Sequence, residues 1–283
     1  MLICANNEKG NMKELLNIST AEIELLLPDL IKLMNKAGEA ILNIYKWDIT
    51  VTTKTDNTPV TQADILSSQI ISKGLKTLTP GIIIISEEEV LLPYSLRKTH
   101  KYLWLLDPLD GTKEFINRND EFSVCLALIE NGRPIFGIIY VPVTHEYYYG
   151  LKGKGSFKIN AIGESIKLPV NDLNHSDVVN VVISKSHRSL QDDEYIDKLK
   201  KSEKKVETIA IGSALKFGRL AEGIADVYPK FGTTMEWDIA AGQIILEECG
   251  GNICTTDGSE PLIYNKMDLH NPFFIAKGAS FVI

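Results

Sequence analysis

The pair Asp107 and Asp110 is the part of this sequence that most directly suggests chemistry. The apolar run at 102–106 predicts a short buried strand, which Pro108 should end because proline has no N–H to donate. The Asp-Gly dipeptide that follows predicts a turn, so both carboxylates should leave one strand end and face one small volume. At ~4 Å separation and an effective dielectric constant near 20, two such charges repel by about 4 kcal/mol. A raised pKa or a nearby cation must offset this repulsion, and carboxylate oxygens suit Mg²⁺.

Three further acids stand at boundaries of predicted elements. Asp64 lies near the start of a predicted helix at 61–78, Glu87 directly follows a predicted buried strand at 82–85, and Asp238 opens a predicted helix at 237–248. Each has an ordinary alternative, because Asp64 and Asp238 would cap their helices and a run of three acids at 87–89 is typical of a solvated loop. Since Glu87 follows a strand end as Asp107 does, a metal-ligand role for the run at 87–89 is about as well supported as a solvated loop.

The elements that must position these acids differ between the two parts of the chain. The first part is predicted to contain a helix from Ser19 to about Tyr45 with a kink or restart at Pro28, and strands at 49–54, 122–129, 135–141 and 146–149. The glycine-rich loop at 150–155 predicts a hairpin, with a phosphate-cradling loop as the alternative. Beyond about 155–169 the pattern changes to alternating strands and helices, which is typical of an α/β unit. Its predicted strands are 178–184, 206–211, 225–228, about 253 and 273–276, and its predicted helices are 192–201, 213–223 and 237–248.

Composition limits the classes of function. A chain of 283 residues allows a large core in one or two domains, and a net charge of −7 argues against a protein that coats nucleic acid polymers. No apolar run approaches the ~18 residues that span a bilayer, and the first residues do not match a signal peptide. The four cysteines have neither zinc-site spacing nor the density of a disulfide framework, which predicts reduced, buried thiols and a cytoplasmic protein.

The acids and their neighbours resemble the lithium-sensitive, Mg²⁺-dependent phosphomonoesterase superfamily that includes inositol monophosphatase. The pattern of that family is an Asp, then Glu-Glu, then DPxDxxT or DPxDGT, then WD with eleven residues before Gly-Gly. The matching parts of this sequence are Asp64, Glu87-Glu88, DPLDGT at 107–112, and Trp237-Asp238 with eleven residues before Gly250-Gly251. The order, the spacing and the residue types agree, and the resemblance covers roughly residues 20–280.

Within that superfamily the chain is most similar to the CysQ-type 3′(2′),5′-bisphosphate nucleotidases. The run DGTKEFINRNDEFSV stands where inositol monophosphatases carry DGTTNF, and the runs VVISKSH and GSALKFGRLAEGIADVYPKFGTTMEWDIAAG are similar to the same family. Lys185 and Lys230 depart from the family's SRSH and YPR motifs. Both keep the positive charge but lose the bidentate guanidinium fork, which affects the expected phosphate affinity or orientation.

The resemblance implies a layered αβαβα sugar-phosphatase fold, α+β in its first half and α/β in its second, with the active site between the halves. Residues 1–18 are then expected to be a loose N-terminal extension, 19–160 the metal-binding half and 161–283 the substrate-binding half. The implied activity is Mg²⁺-dependent hydrolysis of adenosine 3′,5′-bisphosphate to AMP and phosphate, with 3′-phosphoadenylyl sulfate as a further substrate. The alternatives are an inositol or other sugar phosphatase, and a non-catalytic binding protein on this fold, although no acid of the motif is missing. A nucleophilic aspartate fits badly, because aspartyl-phosphate phosphatases have one residue between their acids and this chain has two.

The resemblance also implies roles for individual residues. Two Mg²⁺ ions are expected, one held by Glu87, Asp107 and the Leu109 carbonyl and the other by Asp107, Asp110 and Asp238, with a weaker third ion shared by Glu87 through water. Thr112, hydrogen-bonded to Asp64, is expected to orient the attacking water and help to deprotonate it.

The implied substrate contacts are Gly111, Thr112, Ser186, His187, Lys216 and Asp238. Two of these residues keep ordinary alternatives, because His187 could be a structural or surface residue and Lys216 a solvated helix charge. The expected partner is a small nucleotide and not a nucleic acid polymer. A peripheral position on the cytoplasmic face of the inner membrane, and a monomer or a homodimer, are left open.

Overall fold

Helices and sheets alternate in layers in the computed structural model, which describes residues 17–47, 50–53, 59–170, 177–186, 188–201, 205–258, 260–279 and 281. The helices are α1 Thr20–Tyr45, α2 Gln62–Leu78, α3 Tyr94–Arg97, α4 Thr112–Ile116, α5 Leu190–Lys200, α6 Leu215–Ala221 and α7 Glu236–Glu247. The strands are β1 Val51–Thr53, β2 Pro59–Thr61, β3 Ile83–Ser86, β4 Tyr102–Asp110, β5 Ser123–Glu130, β6 Arg133–Val141, β7 Glu146–Leu151, β8 Gly155–Ile159, β9 Ser165–Lys167, β10 Val178–Ser184, β11 Lys205–Ile211, β12 Val227–Lys230, β13 Asn252–Thr255 and β14 Phe274–Lys277.

Among the described residues, two large sheets organise the chain. The first has seven strands in the order β3-β4-β5-β6-β7-β8-β9, with β3 and β4 parallel and every other neighbouring pair antiparallel. The second has five strands in the order β11-β10-β12-β14-β13, in which β10 is parallel to both of its neighbours and β14 is antiparallel to both of its own. Strands β1 and β2 form a small separate antiparallel pair.

The helices fill the spaces on and between the sheets. Helices α1 and α2 pack together on one face of the first sheet over a core that includes Trp104 and Phe136. Helices α6 and α7 lie between the two sheets, in a core that includes Phe217 and Ile245. Helix α5 covers the outer face of the second sheet. This order of layers confirms the predicted αβαβα fold.

Helix α1 continues through Pro28, which excludes the restart that the sequence predicted as the alternative to a kink. The Ser19–Glu22 capping box opens the helix, and Pro28 lies on its exposed face. A proline inside a helix costs about 3 kcal/mol. Burial of a whole apolar face, which includes Ile23, Leu30 and Met34, outweighs that cost.

Strand β4 continues through Pro108, contrary to the prediction that Pro108 ends it. The strand pairs with β5 at Asp107↔Cys125 and again at Asp110↔Ser123, with a register shift between the two pairs. Three steps on β4 therefore face two steps on β5, which is the extra residue of a β-bulge. A bulge leaves a residue without a ladder bond, and this is why the sheet accepts a proline here.

The first sheet extends beyond residue 160, where the sequence predicted the division between the two halves of the chain. Strand β9 pairs with β8, so the first sheet continues to Lys167. Helix α7, although it belongs to the second part of the chain, packs across the first sheet. A Cβ added to Gly137 would lie 2.7 Å from the Cα of Ala241, which shows how closely α7 approaches β6. Of the predicted extension 1–18, residues 1–16 lie outside the described residues.

The cysteines that can be described agree with the prediction of free thiols. Cys125 and Cys249 are buried and free, and Cys254 is free and half-buried. Cys4 lies outside the described residues. No helix in the described part of the chain is long and apolar enough to cross a membrane.

Candidate active site

The β-bulge places Asp107 and Asp110 at the end of β4. Asp107 is buried, and its Oδ1 accepts a 3.0 Å hydrogen bond from the Leu109 N–H. Asp110 is half-buried, and its Oδ2 accepts hydrogen bonds from the Ala214 N–H and from Ser123 Oγ, the latter at 3.5 Å. Since Ala214 belongs to the second half of the chain, Asp110 forms a hydrogen bond between the two halves.

Glu87 lies beside Asp107 because β3 and β4 are parallel neighbours. Their register pairs Ser86 with Leu106, and the Glu87 N–H donates to the Leu106 carbonyl at 3.2 Å. Glu87 directly follows β3 and Asp107 directly follows Leu106 within β4, so the two acids start from adjacent backbone positions. The sequence indicated only that Glu87 and Asp107 have similar positions relative to their strands, and the fold makes these strands neighbours.

Asp238 reaches the same edge from the first turn of α7. Its Oδ2 accepts a 2.8 Å hydrogen bond from the Met235 N–H, so the ordinary capping role is real. Trp237 and Ile239 on either side are buried, which fixes the orientation of the helix start. The capping bond uses one of the two carboxylate oxygens of Asp238.

Electrostatics shows that these acids share one region. Burial, followed by the charges of Glu87, Asp110 and Asp238, raises the pKa of Asp107 well above its usual range. Burial, followed by the charge of Asp110 and then of Glu87, does the same to the pKa of Asp238. Burial raises the pKa of Asp110 to about 6, although the Lys216 ammonium and the Ala214 N–H oppose the rise. We call Glu87, Asp107, Asp110 and Asp238 the carboxylate cluster.

The carboxylate cluster has the donor chemistry of a hard-cation site, but its side chains do not converge on one point. In the part of the chain that the structure describes, no three Asp, Glu, His or Cys side chains are arranged to hold a metal ion directly. The two findings are compatible, because charges act over several ångströms whereas Mg²⁺ ligands must lie ~2.0–2.1 Å from the ion. The pKa values of Asp107, Asp110 and Asp238 are raised, and a bound divalent cation would stabilise the charged forms of these crowded carboxylates. The residues therefore fit Mg²⁺ in charge and in oxygen chemistry.

Asp64 and Thr112 form the pair that the sequence predicted at the edge of the carboxylate cluster. Thr112 Oγ1 donates to Asp64 Oδ1 at 3.0 Å and lies 3.3 Å from the Leu109 carbonyl oxygen. Asp64 Oδ2 meanwhile accepts from the N–H of Thr61 at 2.8 Å and from its Oγ1 at 2.6 Å, as the capping alternative requires. Burial raises the pKa of Asp64, and hydrogen bonds from Thr61 and Thr112 oppose that rise. One oxygen caps α2 and the other binds Thr112.

The loop at 211–214 packs closely against the motif that contains Asp110. Gly111 has φ of +90°, and a Cβ there would lie 3.1 Å from both the Ser213 Cβ and the Glu121 carbonyl oxygen. Ser213 itself has φ of +50°, a conformation that few residues other than glycine adopt. Sequence reasoning missed Ser213 and Ala214 as neighbours of Asp110. The only signal was that they lie in the long run similar to CysQ.

The predicted substrate contacts differ in their exposure and in their partners. Ser186 is exposed, and its Oγ donates to the buried carboxylate of Glu114, which the sequence did not assign to the site. His187 lies outside the described residues. Gly111 and Thr112 directly follow Asp110 in the chain, and Asp238 is a member of the carboxylate cluster.

Lys216 is buried, which excludes the solvated-charge alternative. Its Nζ donates to the carbonyls of Ser213 and Ile211, the latter at 3.4 Å, and stands 5.3 Å from the centre of the Tyr228 ring. Burial lowers the pKa of Lys216, and the charge of Asp110 opposes that effect. This lysine is therefore buried between the loop at 211–214 and Asp110.

Two more lysines distinguish the site from the motifs that it resembles. Lys230 is buried, which lowers its pKa, while the charges of Asp192 and Asp238 oppose the shift. Lys185 is exposed and forms an ion pair with Glu121 at 3.2 Å. Lys230 therefore adds positive charge beside the carboxylate cluster, and Lys185 adds it at the surface.

The glycine-rich loop between β7 and β8 is a hairpin and does not join the site. The N–H groups of Gly153 and Gly155 donate to the two carboxylate oxygens of Glu248 at 2.9 and 3.0 Å. A side chain of the protein thus already binds the amides that a phosphate would need. The phosphate-cradling alternative for this loop is wrong.

The chain is similar to known proteins in both sequence and structure. The model of the Inositol monophosphatase family matches residues 23–277. The 3′(2′),5′-bisphosphate nucleotidase CysQ of Escherichia coli K12 is 39% identical over 252 residues, which are 88% of this chain and 98% of that protein. The crystal structure of CysQ from Bacteroides thetaiotaomicron, a bacterial member of the inositol monophosphatase family, has a TM-score of 0.77 at 39% identity and covers 87% of this chain and 94% of its own. A solved IMPase/NADP phosphatase complexed with Mg²⁺ and phosphate shares the fold, with a TM-score of 0.72 at 20% identity and 92% of each chain covered.

Proposed function

The chain belongs to the inositol monophosphatase family, and from this premise we infer that it is a 3′(2′),5′-bisphosphate nucleotidase. It hydrolyses adenosine 3′,5′-bisphosphate to AMP and phosphate. The substrate class rests on the likeness to CysQ proteins along nearly their whole length. The observation in the structure that best supports the chemistry is the Thr112–Asp64 hydrogen bond at the edge of the carboxylate cluster.

Mg²⁺ dependence follows from the family and from the chemistry of the carboxylate cluster. We propose that Glu87, Asp107 and the Leu109 carbonyl hold one Mg²⁺ ion, and that Asp107, Asp110 and Asp238 hold a second. Glu87 would also contribute to a weaker third site through water. Bound there, the ions would neutralise the charge of the phosphoryl group and activate a water for attack.

Thr112 and Asp64 would handle the proton of the attacking water. The Thr112 hydroxyl donates its hydrogen to Asp64 Oδ1, so the lone pairs of its oxygen can accept a hydrogen bond from water and orient it. Asp64 can take up the proton through Thr112, because burial raises its pKa and makes it a stronger base than an exposed aspartate. The capping bonds from Thr61 hold the carboxylate still while it does so.

The remaining predicted residues would hold the substrate. We propose that Gly111, Thr112 and Asp238 contact the phosphate that is removed, since two of them directly follow Asp110 and the third belongs to the carboxylate cluster. Ser186, His187 and Lys216 would then serve the phosphate or ribose that remains. The position of Lys216 beside Asp110 supports a role close to the reacting centre, since its ammonium lies within the electrostatic reach of that acid.

A phosphate-release panel tests the proposal. The purified protein should be assayed with adenosine 3′,5′-bisphosphate, 3′-phosphoadenylyl sulfate, adenosine 3′-monophosphate and inositol 1-phosphate, each with Mg²⁺ and with a chelator. We expect the highest kcat/KM for a bisphosphate nucleotide and no release without Mg²⁺. A preference for inositol phosphate would transfer the chain to the alternative within the same family, and release in chelator would refute the metal mechanism.

A further inference from the structure

Glu121 is a half-buried acid that has no place in the proposed chemistry, yet both of its carboxylate oxygens are engaged by the other half of the molecule. Its Oε2 accepts a 2.7 Å hydrogen bond from the Gly212 N–H. Its Oε1 forms the ion pair with Lys185 Nζ at 3.2 Å. The side chain therefore spans from the segment after α4 to two separate loops at the ends of β10 and β11.

The contact with Gly212 is closely packed. A Cβ added to Gly212 would lie 2.5 Å from the Cγ of Glu114 and 2.9 Å from the Glu121 carbonyl oxygen, so only glycine fits without movement. The same carbonyl oxygen lies against Gly111, where a Cβ would be 3.1 Å away. Glu121 thus contacts the glycine of the Asp110 motif with its backbone and the 211–214 loop with both backbone and side chain.

Two residues after Gly212, the loop binds the carboxylate cluster directly. The Ala214 N–H donates to Asp110 Oδ2, which makes it one of the backbone groups that hold an acid proposed to bind Mg²⁺. Gly212 and Ala214 are separated by Ser213, whose positive φ leaves the loop few other shapes. Gly212, which is bonded to Glu121, and Ala214, which is bonded to Asp110, therefore belong to one short loop.

We propose that Glu121 is a positioning residue that sets the orientation of Asp110 through Gly212 and Ala214. This inference deepens the proposed function and rests on it, because it concerns the acid expected to bind the metal. The hydrogen bond to Gly212 carries the effect. The ion pair is secondary, because the Lys185 side chain is 40% exposed and exposed pairs contribute little.

Three substitutions separate these contributions. Glu121→Ala removes the hydrogen bond and the ion pair, whereas Glu121→Gln keeps a carbonyl oxygen that can accept from Gly212 and removes only the charge. Lys185→Met removes the ion pair alone. Glu130→Ala is the matched control, since Glu130 has the same 26% side-chain exposure as Glu121 and pairs with Lys101 at 3.3 Å, but lies at the opposite end of β5 from Ser123.

Two readouts are needed, and one of them is independent of turnover. The first is the rise in melting temperature that Mg²⁺ causes relative to chelator. The second is the Mg²⁺ concentration for half-maximal hydrolysis of adenosine 3′,5′-bisphosphate, together with kcat and KM. For Glu121→Ala we expect about a tenfold or larger rise in the Mg²⁺ requirement and a smaller thermal shift with Mg²⁺, because a misplaced Asp110 binds the ion less well. Glu121→Gln should stay close to the wild-type protein in both readouts, and Lys185→Met should keep the wild-type thermal shift with Mg²⁺.

Two results would contradict the proposed role of Glu121. A Mg²⁺ response of Glu121→Ala equal to that of Glu130→Ala would overturn the proposal, since both variants lose a comparable ion pair. A loss in Glu121→Gln as large as in Glu121→Ala would also overturn it, because the charge and not the hydrogen bond would then be responsible. If the wild-type protein hydrolyses no bisphosphate nucleotide, the proposed function fails, but the thermal shift with Mg²⁺ still tests the role of Glu121.

Discussion

Thr112 Oγ1 donates a 3.0 Å hydrogen bond to Asp64 Oδ1 across 48 residues of chain. The same aspartate uses its other oxygen to cap α2, so the capping box and the predicted catalytic pair share one side chain. The carboxylate that would accept a proton is therefore held rigidly by the start of a helix, and this relationship can be tested by altering the hydroxyl group alone.

Thr112→Ala should lower kcat by about a hundredfold or more, since general-base assistance contributes about 10²- to 10⁴-fold. Thr112→Ser keeps the hydroxyl group and should retain much of the activity. Both variants should show the wild-type thermal shift with Mg²⁺, because neither removes a carboxylate. Steady-state kinetics at saturating Mg²⁺ measures the effect, and near-wild-type turnover of Thr112→Ala would contradict the assigned role.

Asp110→Asn should abolish most activity while the fold survives. The amide has nearly the same volume and can still accept from the Ala214 N–H, but it lacks the charge that would bind Mg²⁺. Removing one of several crowded charges should not lower the melting temperature in chelator. Phosphate release and thermal denaturation measure the two effects, with exposed Asp29→Asn as the control for loss of a charge. Substantial turnover in saturating Mg²⁺ would exclude Asp110 as a ligand.

The metal-free protein should lose stability as the pH rises from about 4 to about 7. The pKa of Asp110 is raised from 3.8 to about 6, chiefly by burial, and burial also raises those of Asp107 and Asp238 well above their usual range. In this range the folded state binds more protons than the unfolded chain, so the free energy of unfolding falls as the pH increases. Melting temperatures in chelator at pH 5 and pH 7 measure the slope, and Mg²⁺ should reduce it. Greater metal-free stability at pH 7 than at pH 5 would count against this account of the carboxylate cluster.

Lys216→Met should discriminate between substrates if Lys216 holds the phosphate that is not removed. Methionine keeps most of the buried stem and removes the ammonium group. The loss of a charge-assisted contact worth about 1.5–3 kcal/mol should lower kcat/KM for adenosine 3′,5′-bisphosphate by about tenfold to hundredfold. The loss should be small for adenosine 3′-monophosphate, which has no second phosphate. Equal losses on both substrates would mean instead that Lys216 acts through Asp110, next to which it is buried.

Gly137→Ala should destabilise the whole fold by disturbing α7. Gly137 pairs with Gly150 across β6 and β7, and an added Cβ would lie 2.6 Å from an Ile244 methyl group and 2.7 Å from the Ala241 backbone. Overpacking of this kind costs about 1–3 kcal/mol. Denaturant unfolding in chelator measures the loss, and unchanged stability would show that α7 can move away from the sheet freely.

Features that depend on neighbouring residues could be predicted from the sequence. The capping boxes of Ser19 with Glu22 and of Thr61 with Asp64 were predicted because capping acts within one helical turn. Most strands and helices were predicted within a few residues for the same reason, since apolar periodicity is a local pattern. The acids of the carboxylate cluster were predicted from their positions at element ends and from the motif that they share with a family.

Features that depend on distant residues could not be predicted. Short α3 and α4, and edge strand β9, carry little periodicity and form only against the rest of the structure. The bulge at Pro108 requires β5 as a partner, the burial of Lys216 requires the loop at 211–214, and the contact of Glu121 with Gly212 joins residues 91 apart. The sequence therefore specified which residue types carry the chemistry, while the fold specified which of them are neighbours. The physical reason is that hydrogen bonds and charges act over a few ångströms, and only packing of the two sheets around α7 brings Asp238 and Ala214 within that range of Asp110.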